Sequence, residues 1–172
     1  MDMNLDFLSC GHHIVTGIVP VADAFAGGVS SDVINLKNYG RCTFVIQTGA
    51  IQDGCVSNLV TVDACDDAAA SNTTAMPFYH RSQRWSTTND IWADVTPQLA
   101  TASGYNFTVN HAVANAIHIV DITGEMVEQA APGYEFARLT IAETANKTIT
   151  AGVLVILSRP RFTQDLPLTA IA

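Results

Sequence analysis

The segment Ser57-Asn-Leu-Val-Thr-Val-Asp-Ala-Cys65 decides the fold class of this chain. The apolar residues Val60, Val62 and Ala64 occupy every second position and are separated by more polar residues. Successive side chains of a β-strand point to opposite faces of its sheet, so strict alternation indicates a strand with one buried face. The segment therefore predicts a half-buried β-strand.

Similar short segments recur along the chain and are separated by turn residues such as Asn38-Tyr39-Gly40 and Asp53-Gly54. The further predicted strands cover residues 12–21, 29–37, 42–48, 76–84, 90–96, 105–109, 116–122, 134–141 and 149–157. We predict that 76–84 forms a hairpin with 90–96, and that 105–109 pairs with 116–122. Strands do not alternate with long helices, so the pattern predicts an all-β antiparallel β-sandwich or a jelly-roll-like barrel.

One short helix is predicted over residues 123–129, with Thr123 as its N-cap and with Met126 and Val127 facing inward. The whole chain, residues 1–172, is predicted to be a single β-domain. Its core covers residues 12–157, with an N-terminal arm over residues 1–11 and a C-terminal arm over residues 158–172. The C-terminal arm contains two prolines, which disfavour a central strand.

Charged residues are rare in this chain. They make up 14 % of its 172 residues, and 8 basic against 16 acidic residues give a net charge of −8. Binding to the phosphate backbone of nucleic acid needs clustered Lys and Arg, so it is not expected. No apolar run reaches the ~18 residues of a membrane span. We expect neither a nucleic-acid partner nor a membrane partner.

The first residues carry two acids and only a short apolar run, so no secretory signal is expected. The cysteines at positions 10, 42, 55 and 65 show no zinc-site or redox spacing. They are predicted to be reduced and buried, with a Cys55–Cys65 disulfide as the alternative.

No residue set in the sequence predicts catalysis, a cofactor site or a metal site. The five histidines, at positions 12, 13, 80, 111 and 118, lack metal-ligand spacing, and no nucleophile motif occurs. A thiol dyad of Cys65 with His80 or His118 is an unfavoured alternative. A second alternative is a carbohydrate-binding β-sandwich module that uses Trp85 and Trp92. We expect a protein that is not an enzyme.

Four segments together carry a resemblance to a known group of proteins. They are Val33-Ile-Asn-Leu-Lys-Asn-Tyr-Gly-Arg-Cys-Thr-Phe-Val-Ile-Gln-Thr-Gly49, Val60-Thr-Val-Asp-Ala-Cys-Asp-Asp67, Ile119-Val-Asp-Ile-Thr-Gly-Glu-Met126 and Ala151-Gly-Val-Leu-Val-Ile-Leu-Ser-Arg-Pro-Arg161. With these four segments in this order along the chain, the sequence resembles small virion proteins of tailed bacteriophages. It is most similar to head auxiliary proteins of the decoration or cement type.

The resemblance implies a non-enzymatic structural protein on the capsid surface of a phage particle that assembles in the bacterial cytoplasm. Its implied partners are the major capsid protein and copies of itself, with a trimer favoured. A tail, connector or head-fibre-base component is the alternative virion role. The apolar arms and the nearby arginines are the predicted interface residues: Leu5, Phe7, Leu8, Arg159, Arg161, Phe162, Leu166 and Leu168.

Overall fold

The computed structural model describes residues 12–51, 58–83, 97–107, 115–143 and 148–161. Within these ranges the chain forms twelve strands and one helix, α1 (Gly124–Ala130). The strands are β1 (His13–Val21), β2 (Val29–Ser30), β3 (Ile34–Asn35), β4 (Tyr39–Ile51), β5 (Asn58–Cys65), β6 (Thr73–Met76), β7 (Phe78–Gln83), β8 (Gln98–Ala100), β9 (Tyr105–Phe107), β10 (Ile117–Thr123), β11 (Phe136–Glu143) and β12 (Ile149–Pro160).

The strands form two antiparallel sheets that enclose one core. Sheet I has the order β1-β12-β4-β10-β7-β8. Sheet II has the order β2-β11-β5-β6, with β3 paired to β11 and β9 paired to β5. In the described part of the chain, sheet I does not close on itself, because its edge strands β1 and β8 do not pair. The predicted all-β sandwich is confirmed, and the barrel alternative is not.

The core consists of the inward-facing positions of both sheets. In β5 the alternating residues Val60, Val62 and Ala64 are fully buried, as the opening segment predicts. Phe44 and Ile46 are also fully buried at alternate positions of β4, a central strand of sheet I. Burial of these side chains removes apolar surface from water and holds the two sheets together.

The predicted helix is present as α1. The Thr123 hydroxyl accepts a hydrogen bond from the Met126 backbone N–H at 3.3 Å, which satisfies one free donor of the first turn. Val127 is fully buried, and Met126 packs against the core. The N-cap and both inward-facing residues are therefore confirmed.

The predicted strand over residues 29–37 is wrong, because two short strands, β2 and β3, replace it. Ser31 lies between them, and its side-chain oxygen accepts a hydrogen bond from the Leu139 backbone N–H at 3.1 Å. The Ser31 N–H in turn donates to the Leu139 carbonyl at 2.8 Å. A side chain that replaces a backbone acceptor interrupts the regular ladder.

The predicted hairpin partner of residues 76–84 lies outside the described residues, and the predicted strand itself is divided at Pro77. Met76 ends β6 in sheet II, while Phe78 begins β7 in sheet I. Proline has no backbone N–H for a ladder, so it suits a point where the chain leaves one sheet for the other. Both flanking side chains are fully buried between the sheets.

The predicted pairing of residues 105–109 with 116–122 is also wrong. Tyr105 lies in β9 and pairs with Val60 of sheet II, whereas β10 lies in sheet I between β4 and β7. Gly104 precedes β9 with φ +93°, a conformation that L side chains rarely adopt. An added Cβ there would collide with the Val60 carbonyl oxygen, so the close approach of β9 to β5 requires glycine.

Two strands are longer than predicted. Strand β4 begins at Tyr39, so the predicted turn residues Tyr39 and Gly40 belong to it, and the turn covers residues 37–38. Strand β12 continues to Pro160, which pairs with Tyr39, so residues 158–160 belong to the sheet rather than to the C-terminal arm. The predicted turn at Asp53-Gly54 lies outside the described residues. In the described ranges, no helix is long and apolar enough to cross a membrane.

Candidate functional site

The outer face of sheet I carries a continuous group of aliphatic side chains, which we call the outer apolar band. Its members point away from the core at alternate positions of four neighbouring strands. They are Ile14, Val45, Ile117, Ile119, Leu154 and Ile156. Leu154 is paired with Val45, and Val45 with Ile119, so these three residues form one row across three strands.

A second row crosses the whole sheet. It begins with Ile14 opposite Ile156 and ends with Tyr79 opposite Leu99 at the other edge. Ile14 is 42 % exposed, Leu154 46 % and Leu99 60 %, which is high for large apolar side chains in folded proteins. Contiguous exposed apolar surface of this kind marks an interaction site more often than isolated exposed residues do.

A polar group interrupts the second row at its centre. Both guanidinium contacts of Arg41 go to the Asp121 carboxylate, with Nη2 to Oδ2 at 2.8 Å and Nε to Oδ1 at 3.1 Å. The Thr43 hydroxyl donates to the same carboxylate. The charges on this part of the face are thus paired with each other. This pairing lowers the desolvation free energy that their burial under a partner would cost.

Replacing Asp121 with Asn is expected to lower the free energy of unfolding by about 1–2 kcal/mol, because Arg41 loses its charged acceptor. Urea unfolding at pH 7 and low salt measures the difference. The matched control is Glu135→Gln, since the Lys37–Glu135 pair is 3.6 Å long and its side chains are 63 % and 45 % exposed. The control should change stability by less than ~0.5 kcal/mol. Equal effects of the two variants would contradict the structural role of Asp121.

A hollow of about 300 Å³ lies at one end of the band. Gly49 and Gly152 form part of its lining, together with Pro20, Val45 and Leu154. A Cβ on Gly152 would meet the Pro20 ring at 2.7 Å, so the glycine lets the edge strand fold over its neighbour. The hollow has the size and the apolar lining to accept one aliphatic or aromatic side chain from a partner.

The structure describes two of the eight predicted interface residues, Arg159 and Arg161. Arg159 lines a hollow of about 300 Å³ that also contains the Arg41–Asp121 pair. Arg161 lines a groove of about 430 Å³ beside α1 and lies against Gly124. The two arginines therefore line two different concavities. The other six predicted residues lie outside the described ranges: Leu5, Phe7, Leu8, Phe162, Leu166 and Leu168.

Both arms join the described domain at the same end of sheet I. His13, at the N-terminal side, pairs with Leu157 of β12. Pro160 pairs with Tyr39, and the Arg161 backbone N–H donates to the Asn38 carbonyl at 2.9 Å. His13 and Tyr39 are themselves joined by a hydrogen bond of 3.0 Å between Nδ1 and the phenol oxygen. The attachment points of the two arms are therefore neighbours.

Inside the sandwich, one polar cluster joins the two sheets. The Ser82 hydroxyl of sheet I contacts the Tyr105 hydroxyl of sheet II at 3.1 Å and His118 Nδ1 at 2.8 Å. The His80 ring stacks on Tyr105 with 3.6 Å between ring centroids. Ser82 and His118 are each 5 % exposed, so these contacts connect the sheets within the core rather than facing solvent.

The alternative thiol dyad is not assembled in this structure. Cys65 lies at the last position of β5, whereas Tyr105, which contacts the histidine cluster, pairs with Val60 five residues earlier on that strand. Five residues of a strand correspond to ~16 Å. Within the described residues, no group of three or more His, Cys, Asp or Glu side chains is arranged to hold a metal ion. His111, Trp85 and Trp92 lie outside the described ranges.

Several carboxylates in and beside loops have local structural contacts. In the loop after β5, Asp67 Oδ1 accepts hydrogen bonds from the backbone N–H groups of Ala69 and Ser71 at 2.9 and 3.0 Å. Hydrogen bonds from Asn72 to Asp66 lower the pKa of that carboxyl group. On α1, Glu128 accepts from the Gly133 N–H at 3.0 Å. These carboxylates stabilise turns, which is a frequent use of Asp and Glu near loops.

Cys42 and Cys65 are buried free thiols, while Cys10 and Cys55 lie outside the described residues. Burial raises the pKa of Cys42 well above its usual value, and the Asp121 charge raises it further. Burial raises the pKa of Cys65 to about 11. Both thiols therefore stay protonated in the folded protein at a pH where they ionise in the unfolded chain.

We expect the folded state to lose stability as the pH rises from about 9 toward 11. A thiol with a raised native pKa contributes its full stabilisation below the unfolded value, and this contribution disappears as the pH rises through the native value. Urea midpoints measured in half-unit steps from pH 8 to 10.5 test this. The Cys42→Ala/Cys65→Ala double variant is the control, because Tyr39, whose pKa burial also raises, remains in it. A double variant with the same pH slope as the natural chain would contradict the assignment to the thiols.

The outer apolar band does not follow from the local sequence pattern. The alternation of Ile117 and Ile119 with buried residues was visible, and so was the apolar composition of β12. Periodicity does not tell whether the second face of a strand is covered. The signal available in the sequence was the unbroken apolar run of residues 153–157, which places apolar side chains on both faces of one strand.

Comparisons with known proteins leave the family of this chain open. No family model matches the sequence, and no curated protein matches it. Among solved structures, a family two carbohydrate esterase from Cellvibrio japonicus is 8 % identical with a TM-score of 0.25, over 90 % of this chain and 36 % of that chain. The VP2 subviral particle of infectious bursal disease virus is 11 % identical with a TM-score of 0.25, over 87 % and 41 %. The chain thus spans less than half the length of these proteins, and likenesses with such TM-scores carry no argument about function.

Proposed function

We propose that this protein is a non-enzymatic structural protein of a tailed-phage particle, which binds the capsid lattice as a decoration or cement protein. The outer apolar band beside the attachment points of both arms is the observation that supports this most. An exposed apolar face with adjacent apolar chain segments is suited to contacts with other protein subunits.

The distribution of charge supports the same role. The chain has a net charge of −8, yet the charged groups at the centre of the outer face, Arg41 and Asp121, are paired with each other. A partner that covers the outer apolar band meets aliphatic side chains and the neutralised Arg41–Asp121 pair, with Arg81 beside them opposite Ile119. Burial of unpaired charge, which is the main cost of an interface, is therefore small here.

The proposed mechanism is the bridging of neighbouring capsid subunits. The attachment points of both arms lie next to the His13–Tyr39 hydrogen bond, on the same side of the described domain. In this proposal the apolar residues of the arms pack against capsid subunits, and Arg159 and Arg161 bind acidic patches. Repetition of these contacts around a symmetry axis makes weak individual contacts collectively strong.

The copy number in a purified particle tests the proposal. Quantitative mass spectrometry relative to the major capsid protein is expected to give hundreds of copies per particle, because the lattice repeats its binding site. Density for the chain over capsid subunits in a cryo-EM map is the matched structural readout. About a dozen copies or fewer indicate the tail, connector or fibre-base alternative and overturn the decoration role. Absence of the chain from particles overturns the virion role altogether.

A further inference from the structure

We propose that residues 1–11 dock across the outer face of sheet I of their own chain when the protein is free in solution. In this arrangement Leu5, Phe7 and Leu8 cover the outer apolar band. The proposal names a second contact for the N-terminal arm and is independent of the identity of the capsid partner.

The position of the segment is the first argument. Residue 11 lies directly before the described chain, and Ile14, three residues later, is the first member of the outer apolar band. It lies on β1, the edge strand of sheet I. The segment therefore starts at the border of the face that it is proposed to cover.

The reach of the segment is the second argument. The six strands of sheet I at a spacing of ~4.8 Å make the face ~24 Å wide. Eleven extended residues span at most ~36 Å. The segment is thus long enough to cross from Ile14 at one edge to Leu99 at the other.

Chemical match is the third argument. The row of Leu154, Val45 and Ile119 crosses three adjacent strands, with Leu154 46 % exposed and Val45 and Ile119 half-buried. The segment Met1-Asp-Met-Asn-Leu-Asp-Phe-Leu-Ser-Cys-Gly11 contains apolar side chains and no basic residue. Its apolar side chains gain free energy from burial on the band, and the hollow beside Gly152 accepts one of them.

A second copy is the competing occupant, and the available area disfavours it. A face ~24 Å wide with strands ~20 Å long offers roughly 500 Å² per copy. Stable complexes bury ~800 Å² per partner. A tethered segment instead has an effective local concentration in the millimolar range and needs no second molecule. On a particle, where copies lie close together, the same contacts can be exchanged between neighbouring copies without new chemistry.

Methyl NMR on the full-length chain tests the proposal. The Leu5→Ser/Phe7→Ser/Leu8→Ser triple variant is expected to shift the methyl signals of Ile14, Val45, Ile119 and Leu154 and to leave core signals such as Leu139 unchanged. A synthetic peptide of residues 1–11 that carries Cys10→Ser, added to the triple variant, should restore the natural signals in a saturable manner.

Matched substitutions on the face locate the contact. Leu154→Thr, introduced into the triple variant, is expected to weaken peptide binding by about tenfold or more, equal to ~1.4 kcal/mol. Val19→Thr is the control, since Val19 is an exposed valine on the same sheet but lies in the irregular stretch of β1 between Ile18 and Val21, outside the outer apolar band. It should leave peptide binding unchanged.

Three results overturn the proposal. One is identical methyl signals of the band in the natural chain and the triple variant. Another is peptide-induced shifts confined to residues outside sheet I. The third is a concentration-dependent shift of the band signals in the natural chain, which shows that a second copy occupies the face.

Discussion

Under the decoration role proposed above, deletion of residues 162–172 is expected to reduce binding of the protein to the capsid by about 10³-fold while the isolated domain stays folded. The deleted segment contains Phe162, Leu166 and Leu168, which are predicted interface residues. Full burial of such a side chain contributes about 1.5–3 kcal/mol. Partial burial of three of them gives roughly 4 kcal/mol, which corresponds to the stated loss of affinity.

Particle-bound protein, measured by co-sedimentation over a range of added protein, gives the affinity of each variant. Thr169→Ser, a conservative change in the same arm, is the control and should bind like the natural chain. Far-UV circular dichroism and urea unfolding of the deleted protein check the fold. Unchanged binding would remove the C-terminal arm from the proposed mechanism, and a large loss of stability would show that the arm belongs to its own domain.

Phe44→Ala is expected to lower the free energy of unfolding by about 3–5 kcal/mol, because it removes a large side chain from the middle of the core. Phe44 has no exposed surface and lies opposite Val120 on one side and Val155 on the other. Domains of this kind have a total stability of about 5–15 kcal/mol. The substitution therefore removes a large part of the stability of the domain.

Urea unfolding followed by far-UV circular dichroism at pH 7 measures this effect. The control is Val19→Ala on the edge strand, where the side chain is 65 % exposed. It should change stability by less than ~0.5 kcal/mol. A loss for Phe44→Ala similar to that of the control would contradict the central position of β4 in the core.

Elements defined by local interactions followed from the sequence. The alternation in β5 required only a period of two, and both its inner face and its strand character are confirmed. Helix α1 followed from the capping residue Thr123 and the apolar pair after it. In each case the relevant contacts lie within a few residues of chain, so the local pattern contains the necessary information.

The pairing of strands from distant segments could not be predicted from the sequence. The division at Pro77 and the separation of β9 from β10 both place strands that are close in the chain into different sheets. A strand pattern specifies which face is apolar but not which strand lies beside it. Neighbouring strands were therefore assigned as partners, although long-range packing against β5 favours another arrangement.

The candidate site was only partly predictable. The apolar arms and the two arginines are visible in the sequence, but which surface they contact is not. The outer apolar band exists because β1, β12, β4 and β10 lie side by side, with their pairing partners Ile156, Leu154 and Val45 on one face. No single segment contains that information.

The all-β class and the helix N-cap could be predicted from residue order, because alternation and capping are properties of consecutive residues. The sequence also indicated the scarcity of charge, which is a property of composition. The tertiary structure alone decided which strands share a sheet, where the chain crosses at Pro77, and that aliphatic residues from four strands join on one exposed face. These features depend on contacts between segments far apart in the chain, whose free energies are set by the packing of the whole domain.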